Sequence, residues 1–199
     1  MADIIYTYKN QVYGNITNKC DCSCTFCVRS QHEAIGEAQQ LWHKADPTLE
    51  EILAAMDAFD FTNYDEFVFC GYGEPTCALD YLLASGKYLK EKYPHLCIRL
   101  NTNGLGNLYH KRNIIPDLAS VVDSISISLN APDEESYNQV TRPQFEHAYP
   151  ALLDFAKECN KVFAHTQLSI VDVLPKEDQK RCQLIADECG VHLKIRKFS

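Results

Sequence analysis

The sequence predicts an α/β fold, an open partial (β/α)6 barrel built on a parallel sheet, and two observations lead there. Strand-like and helix-like segments alternate almost to the end of the 199 residues, and six such units are too few to close an eight-stranded barrel. The short polar motifs, moreover, fall at the carboxyl ends of the predicted strands, where parallel α/β folds carry their sites.

Residues 12–17 read as a first strand that runs straight into a cluster of cysteines, and an irregular stretch follows as far as Pro47. Thr48 opens a helix, with Glu51 completing a capping box. Leu49, Ile52, Leu53, Met56 and Phe59 then keep the spacing of one buried helical face. A second strand covers residues 67–70. Leu79, Leu82, Leu83 and Leu89 mark a helix that stops before Pro94. Residues 96–101 form a third strand, followed by a glycine-containing loop and one short helix before Val121.

The fourth strand, residues 122–130, alternates most cleanly: Ile125, Ile127 and Leu129 against Ser124, Ser126, Ser128 and Asn130. Its following helix carries Phe145, Ala148, Tyr149, Leu152, Leu153, Ala156 and Cys159 on one face. Residues 161–171 are a fifth strand, 175–189 a helix stopped by Gly190, and 191–198 a sixth strand. Strands of a parallel sheet are ordinarily apolar on both faces. The in-phase Ser126, Ser128 and Asn130, repeated as His165, Gln167 and Ser169, therefore point to a face lining a wet cavity, or else to a half-exposed strand.

Composition narrows the classes. A formal charge of −8 gives no global footprint for a nucleic-acid backbone, although a local basic patch stays compatible with it. No apolar run approaches the ~20 residues of a membrane span, and the first ten residues lack the apolar core of a signal peptide. A single domain over residues 1–199, located in the cytoplasm, is expected. In that compartment thiols stay reduced, so the ten cysteines read as metal-binding or packing groups rather than as disulfides.

Four of them, Cys20, Cys22, Cys24 and Cys27, fall within eight residues. Zinc prefers a tetrahedron drawn from two separated pairs, and four thiolates on one short loop would have to curl back sharply to supply it. Cys20, Cys24 and Cys27, with aromatic Phe26 before the last, suit an iron–sulfur cluster instead. Such clusters normally take four thiolates, so three leave one iron open to a small molecule. Cys22 reads as a bystander.

This loop resembles the signature of the radical S-adenosylmethionine (SAM) superfamily. Gly71-Tyr72-Gly73-Glu74-Pro75, after the second strand, is similar to that family's Gly-Gly-Glu motif, with Tyr72 replacing the middle glycine. Asn101-Thr102-Asn103-Gly104 and the strand end at Ser128 and Asn130 are similar to further family motifs, with Ser169 and Arg196 as weaker candidates. The strings FVFCGYGEP, RLNTNGL and SISLNAP resemble, more narrowly, the TatD-associated radical SAM family, over nearly the whole chain.

The resemblance implies a radical SAM-like partial barrel and an oxygen-sensitive [4Fe–4S] cluster on Cys20, Cys24 and Cys27. It also implies reductive cleavage of SAM to a 5′-deoxyadenosyl radical that abstracts hydrogen from a substrate. Phe26, Gly71, Tyr72, Gly73, Glu74, Asn101, Thr102, Ser128 and Asn130 would bind the cofactor, with Glu74 on the amino group of SAM. A low-potential donor, flavodoxin or ferredoxin, would supply the electron. A small-molecule substrate is preferred, the alternative being an activating enzyme that acts on a protein. An iron–sulfur electron carrier would need the cysteine loop but not the strand-end motifs, so SAM binding separates the two classes. Arg99, Arg142, His165 and Lys194 could meet an anionic substrate, but each reads first as a surface or solvated side chain. Cys77 reads as the remaining cysteine best placed to approach the site, Cys70 and Cys97 as strand residues, and Cys159, Cys182 and Cys189 as core.

Overall fold

In a computed structural model describing residues 2–197, seven strands form one sheet whose spatial order is the order of the chain. The strands are β1 (Ile5–Tyr8), β2 (Gln11–Gly14), β3 (Glu66–Phe69), β4 (Cys97–Thr102), β5 (Ser124–Ser128), β6 (His165–Val171) and β7 (His192–Arg196). From β2 to β7 every neighbouring pair is parallel, and the sheet does not close on itself. The open barrel expected from the sequence is thus what forms, with one strand more than expected.

The added strand is β1, which pairs antiparallel with β2 across Lys9 and Asn10. Both turn residues have positive φ, 48° and 60°, as a tight hairpin requires. Without an Asn-Gly or Asp-Gly pair the sequence gives little warning of that turn. Other boundaries also move. The first predicted strand ends at Gly14 rather than at residue 17 and the fourth at Ser128 rather than at residue 130. Residues 161 and 162 finish a helix instead of opening β6. Phe198, the predicted end of the last strand, lies outside the described residues.

The helices are α1 (Leu49–Ala58), α2 (Leu79–Lys92), α3 (Gly106–His110), α4 (Ile115–Ala119), α5 (Glu134–Thr141), α6 (Ala148–Val162) and α7 (Lys176–Cys189). The Thr48–Glu51 capping box forms, and Gly190 ends α7 at φ 72°. One short helix was expected between β4 and β5, and there are two. Helix α5 was not expected: its sequence, EESYNQVT, buries only Tyr137 and Thr141 and so carries a weak apolar period.

Register sorts the two faces of the sheet. The rows Phe69–Leu100–Ile125 and Ile127–Leu168–Leu193 are buried in the continuous core shared with the helices. Cys159, Cys182 and Cys189 lie in the same core, as small hydrophobes. The alternate rows, Arg99–Ser124–His165 and Asn101–Ser126–Gln167–His192, are polar and face the other way. In a closed barrel that face is filled by branched apolar side chains. Here it lines open space.

Candidate active site

The cysteine loop begins where β2 ends, and polar groups fix its base. Asn15, fully buried, donates from Nδ2 to the Asp3 and Leu41 carbonyls and accepts the Tyr72 N–H at Oδ1. Thr17 Oγ1 donates to Asp46 Oδ2 at 2.8 Å, and the Asn18 N–H to Asp46 Oδ1 at 2.7 Å. His43 Nε2 lies 2.9 Å from the Asn15 carbonyl. The stretch before Pro47 that looks irregular in sequence is therefore the clamp on the loop. Asn15→Ala would strand a buried N–H and a buried carbonyl at once. We expect it to cost about 3 kcal/mol, seen as a lower urea midpoint with an unchanged m-value.

The other side of the loop is held by the unexpected α5. Ser23 and Thr25 donate their N–H groups to the Thr141 and Val140 carbonyls at 3.0 and 2.8 Å, and the Gln144 N–H returns to the Asp21 carbonyl at 2.9 Å. Cys22 turns inward and is buried, whereas Cys20, Cys24 and Cys27 are partly exposed. All four, with Phe26, line a cavity of about 250 Å³ at the carboxyl ends of the strands. Burial and then the Glu74 carboxylate push the Cys20 thiol up to about 12, and burial raises Cys27 as well. Cys24 goes the other way, held below the ordinary thiol range chiefly by the hydrogen bond from Cys22.

Opposite the loop stand residues 71–74. Two backbone approaches explain their glycines: a Cβ on Gly71 would lie 2.2 Å from Asn15 Oδ1, and one on Gly73 2.3 Å from the Thr17 carbonyl oxygen. The Glu74 N–H then donates to the Lys19 carbonyl at 2.7 Å, strapping this turn to the cysteine loop. Gly71 and Tyr72 themselves do not line the cavity. Tyr72 packs with Tyr6 and Leu41, and its hydroxyl donates to the His32 carbonyl. A tyrosine fits where a glycine was the family expectation because its side chain points away from the cavity.

Glu74 does line it, although only 5% exposed. Its Oε1 accepts from the Thr76 N–H and from the hydroxyls of Thr76 and Thr102, while Oε2 accepts one bond, from the Asn103 N–H at 2.8 Å. A carboxylate oxygen has room for a second donor, so Oε2 keeps a lone pair free of any partner among the described residues. Burial, followed by the charge of Asp21, raises this carboxyl to about 7.

Asn103 is a hub that sequence reading passed over inside a motif it had noticed. Besides that backbone bond to Glu74, its side-chain amide donates to Asp21 Oδ1 and lies 3.6 Å from Cys22 Sγ. Asp21 is buried between the cysteines, and its Oδ2 has no partner among the described residues. The signal available was a carboxylate inside a cysteine loop, which is costly to bury unless something holds it.

The strand ends complete the wall: Asn101, Thr102, Ser126, Ser128, Asn130, Ser169 and Arg196 all line this cavity. Asn130 sits at φ 60°, a conformation asparagine tolerates better than most side chains. Three expectations need correction. Arg99, His165 and Lys194 line a separate cavity at the amino ends of the strands, because they stand earlier on strands whose carboxyl ends make the site. Arg142 is an exposed left-handed residue capping α5. Cys70 lines the cysteine cavity and Cys77 does not; Cys77 is buried, its thiol raised by burial and then by Asp21 and Glu74.

Residues 15–188 match the profile of the radical SAM superfamily. The chain belongs to that superfamily. Its members are enzymes that use a [4Fe–4S] cluster and SAM. No curated protein matches the sequence. Among solved structures, TYW1 with a lysine-pyruvate adduct bound superimposes with a TM-score of 0.63 at 16% identity, over 96% of this chain and 65% of that one. A radical SAM methyltransferase from Sphaerobacter thermophilus gives 0.62 at 14% identity, over 97% and 68%. Streptococcus suis SuiB bound to S-adenosylmethionine gives 0.61 at 19%, over 94% and 38%. These likenesses concern the fold, and the chain spans between about two fifths and two thirds of those proteins.

The residues present fit the superfamily's cofactors. Three partly exposed thiols on one cavity wall are a soft, all-sulfur donor set, which suits iron–sulfur chemistry. No three His, Cys, Asp or Glu side chains among the described residues converge on a single-ion site. A cluster that takes one thiolate per iron does not require that. Among the described residues no helix is long and apolar enough to cross a membrane.

Proposed function

We propose that this radical SAM protein holds its cluster on Cys20, Cys24 and Cys27, binds SAM in the same cavity and acts on a small-molecule substrate. When bound, the cluster and SAM supply a 5′-deoxyadenosyl radical that takes a hydrogen atom from that substrate. The observation that carries the reading is the sharing of one cavity by the three partly exposed thiols and the free lone pair of Glu74. Cys22, buried and turned to Asn103, is left out of the ligand set.

The other residues divide by what they touch. Glu74 Oε2 accepts from the amino group of SAM. Thr102 acts through Glu74, to which its hydroxyl donates, and Gly71, Tyr72 and Gly73 shape the turn that presents it. Phe26 would shield the cluster or pack against adenine, and Asn101, Ser128 and Asn130 would orient the ribose and carboxylate. Arg196 and Lys197 line the cavity on the side of β7. The motif strings favour the TatD-associated branch of the superfamily. One radical SAM domain over residues 1–199, cytoplasmic and reduced by flavodoxin or ferredoxin, completes the proposal.

The test is anaerobic cluster reconstitution, then dithionite and SAM, with 5′-deoxyadenosine measured by mass spectrometry. Product formation supports the reading. A loaded cluster whose EPR signal ignores SAM and which yields no product favours an electron carrier. The raised carboxyl of Glu74 adds a pH signature. Its acceptor form is the ionised one, so SAM affinity should rise as pH climbs through about 7 and level off above it. Glu74→Gln should weaken binding about tenfold at pH 8 and flatten the profile, with the cluster content unchanged. An unaltered profile in Glu74→Gln would remove the amino-group role.

A further inference from the structure

We propose that the lower end of the open barrel is a second binding site, for a small ligand carrying a carboxylate or phosphate oxyanion. The inference stands independently of the SAM reading.

A cavity of about 580 Å³ opens at the amino ends of β4 to β7, within the range of small-molecule sites and larger than the cysteine cavity. The two cavities meet at one hydrogen bond. Ser126 lines the upper, Gln167 lines the lower, and Gln167 Nε2 donates to Ser126 Oγ at 3.0 Å. Among the described residues, Ile125, Ala164 and Val191 line this end but leave it open, unlike the packed interior of a closed barrel.

Its charge is opposite in sign to that of the chain as a whole. The protein carries a formal −8, yet Arg99, Lys194, His165 and His192 line this cavity against one carboxylate among the described residues, Glu66. Arg99 is held in place rather than mobile. Its Nη2 donates to Gln11 Oε1 and lies 3.3 Å from Glu66, with the side chain 15% exposed, and its Nε is buried without a partner among the described residues. Lys194, His165 and His192 form no ion pair among the described residues and are exposed to the cavity. A fixed guanidinium beside a free ammonium and two imidazoles is a donor set for an oxyanion, since such charge-assisted bonds are about twice as strong as neutral ones. A cavity of this size admits a small metabolite-like molecule rather than a folded partner.

The test is calorimetric titration of the full chain with inorganic phosphate and with citrate, in chloride buffers of matched ionic strength, with and without saturating SAM. We expect one of the two to bind with Kd below about 1 mM, to shift the imidazole NMR signals of His165 and His192, and to ignore SAM. The anion that binds more tightly identifies the ligand as phosphate-bearing or carboxylate-bearing. Lys194→Gln should weaken binding about tenfold, and the His192→Gln/Lys194→Gln double variant further. Lys180→Gln, on the exposed part of α7, should leave it unchanged. The proposal fails if neither anion binds, if the histidine signals do not move, if SAM competes, or if Lys194→Gln binds as the parent does. Failure of SAM cleavage would leave each of these readings intact.

Discussion

Cys24→Ala is expected to abolish cluster assembly and with it all production of 5′-deoxyadenosine, and Cys20→Ala and Cys27→Ala should do the same. Cys22→Ala, in contrast, should retain the cluster and most of the activity. The four thiols lie within eight residues, and only their orientation separates them: Cys22 is 3% exposed and turned toward Asn103, while the other three are partly exposed in the cavity. Iron content and the visible iron–sulfur absorbance of the reconstituted protein read the difference directly. Assembly should also improve as pH rises. Burial holds protons on Cys20 and Cys27, iron must displace them, and a reaction that releases protons is favoured at higher pH. A Cys22 variant without cluster beside a Cys20 variant that keeps it would falsify the ligand assignment.

Gly73→Ala should be the most damaging change outside the cysteines. The new methyl would meet the Thr17 carbonyl oxygen at 2.3 Å and that of Lys19 at 2.7 Å. Both are backbone atoms at the base of the cysteine loop, and neither has a side-chain rotation by which to retreat. Relief requires breaking the bond from the Glu74 N–H to the Lys19 carbonyl, which moves the Glu74 turn away from the cysteines. We expect a loss on the order of 3 kcal/mol in chemical denaturation and a fall in SAM affinity greater than that of Glu74→Gln. Gly190→Ala is the control. It lies at φ 72° with its nearest contact at 3.0 Å, the Asn160 side-chain amide, so it should cost about 1 kcal/mol through backbone strain alone. SAM binding should be unaffected by it. Equal losses of SAM affinity in the two variants would mean that Gly73 acts only through global stability.

Much of the architecture follows from local chemistry. The Thr48–Glu51 box, the leucines of α2, the Gly190 stop and the alternation of β5 each depend on neighbours a few residues away, and each appears where its pattern lies. The same holds for the cysteine spacing and the polar strand ends, because in a parallel sheet the carboxyl ends share one rim. Helix α5 and strand β1 were illegible for the converse reason. One buries too little to show a period, and the other turns on Lys9 and Asn10 without a turn signature.

Contacts between distant segments decided the rest. That Asn15, His43 and Asp46 form one clamp, that α5 braces the cysteine loop, and that Asn103 joins Asp21 to Glu74 are facts about partners 28 to 118 residues apart. Arg99, His165 and Lys194 show the limit most clearly. Their residue types suggested contact with an anion, but which end of the barrel they reach depends on strand register. The sequence by itself determined the superfamily, the alternating α/β order and the group of cysteines. Only the tertiary structure decided which thiols stay partly exposed, which backbone carbonyls forbid a side chain at Gly73, and that separate cavities open at the two ends of the barrel. Local patterns encode the element a residue belongs to, whereas the direction a side chain faces is set by the segment packed against it.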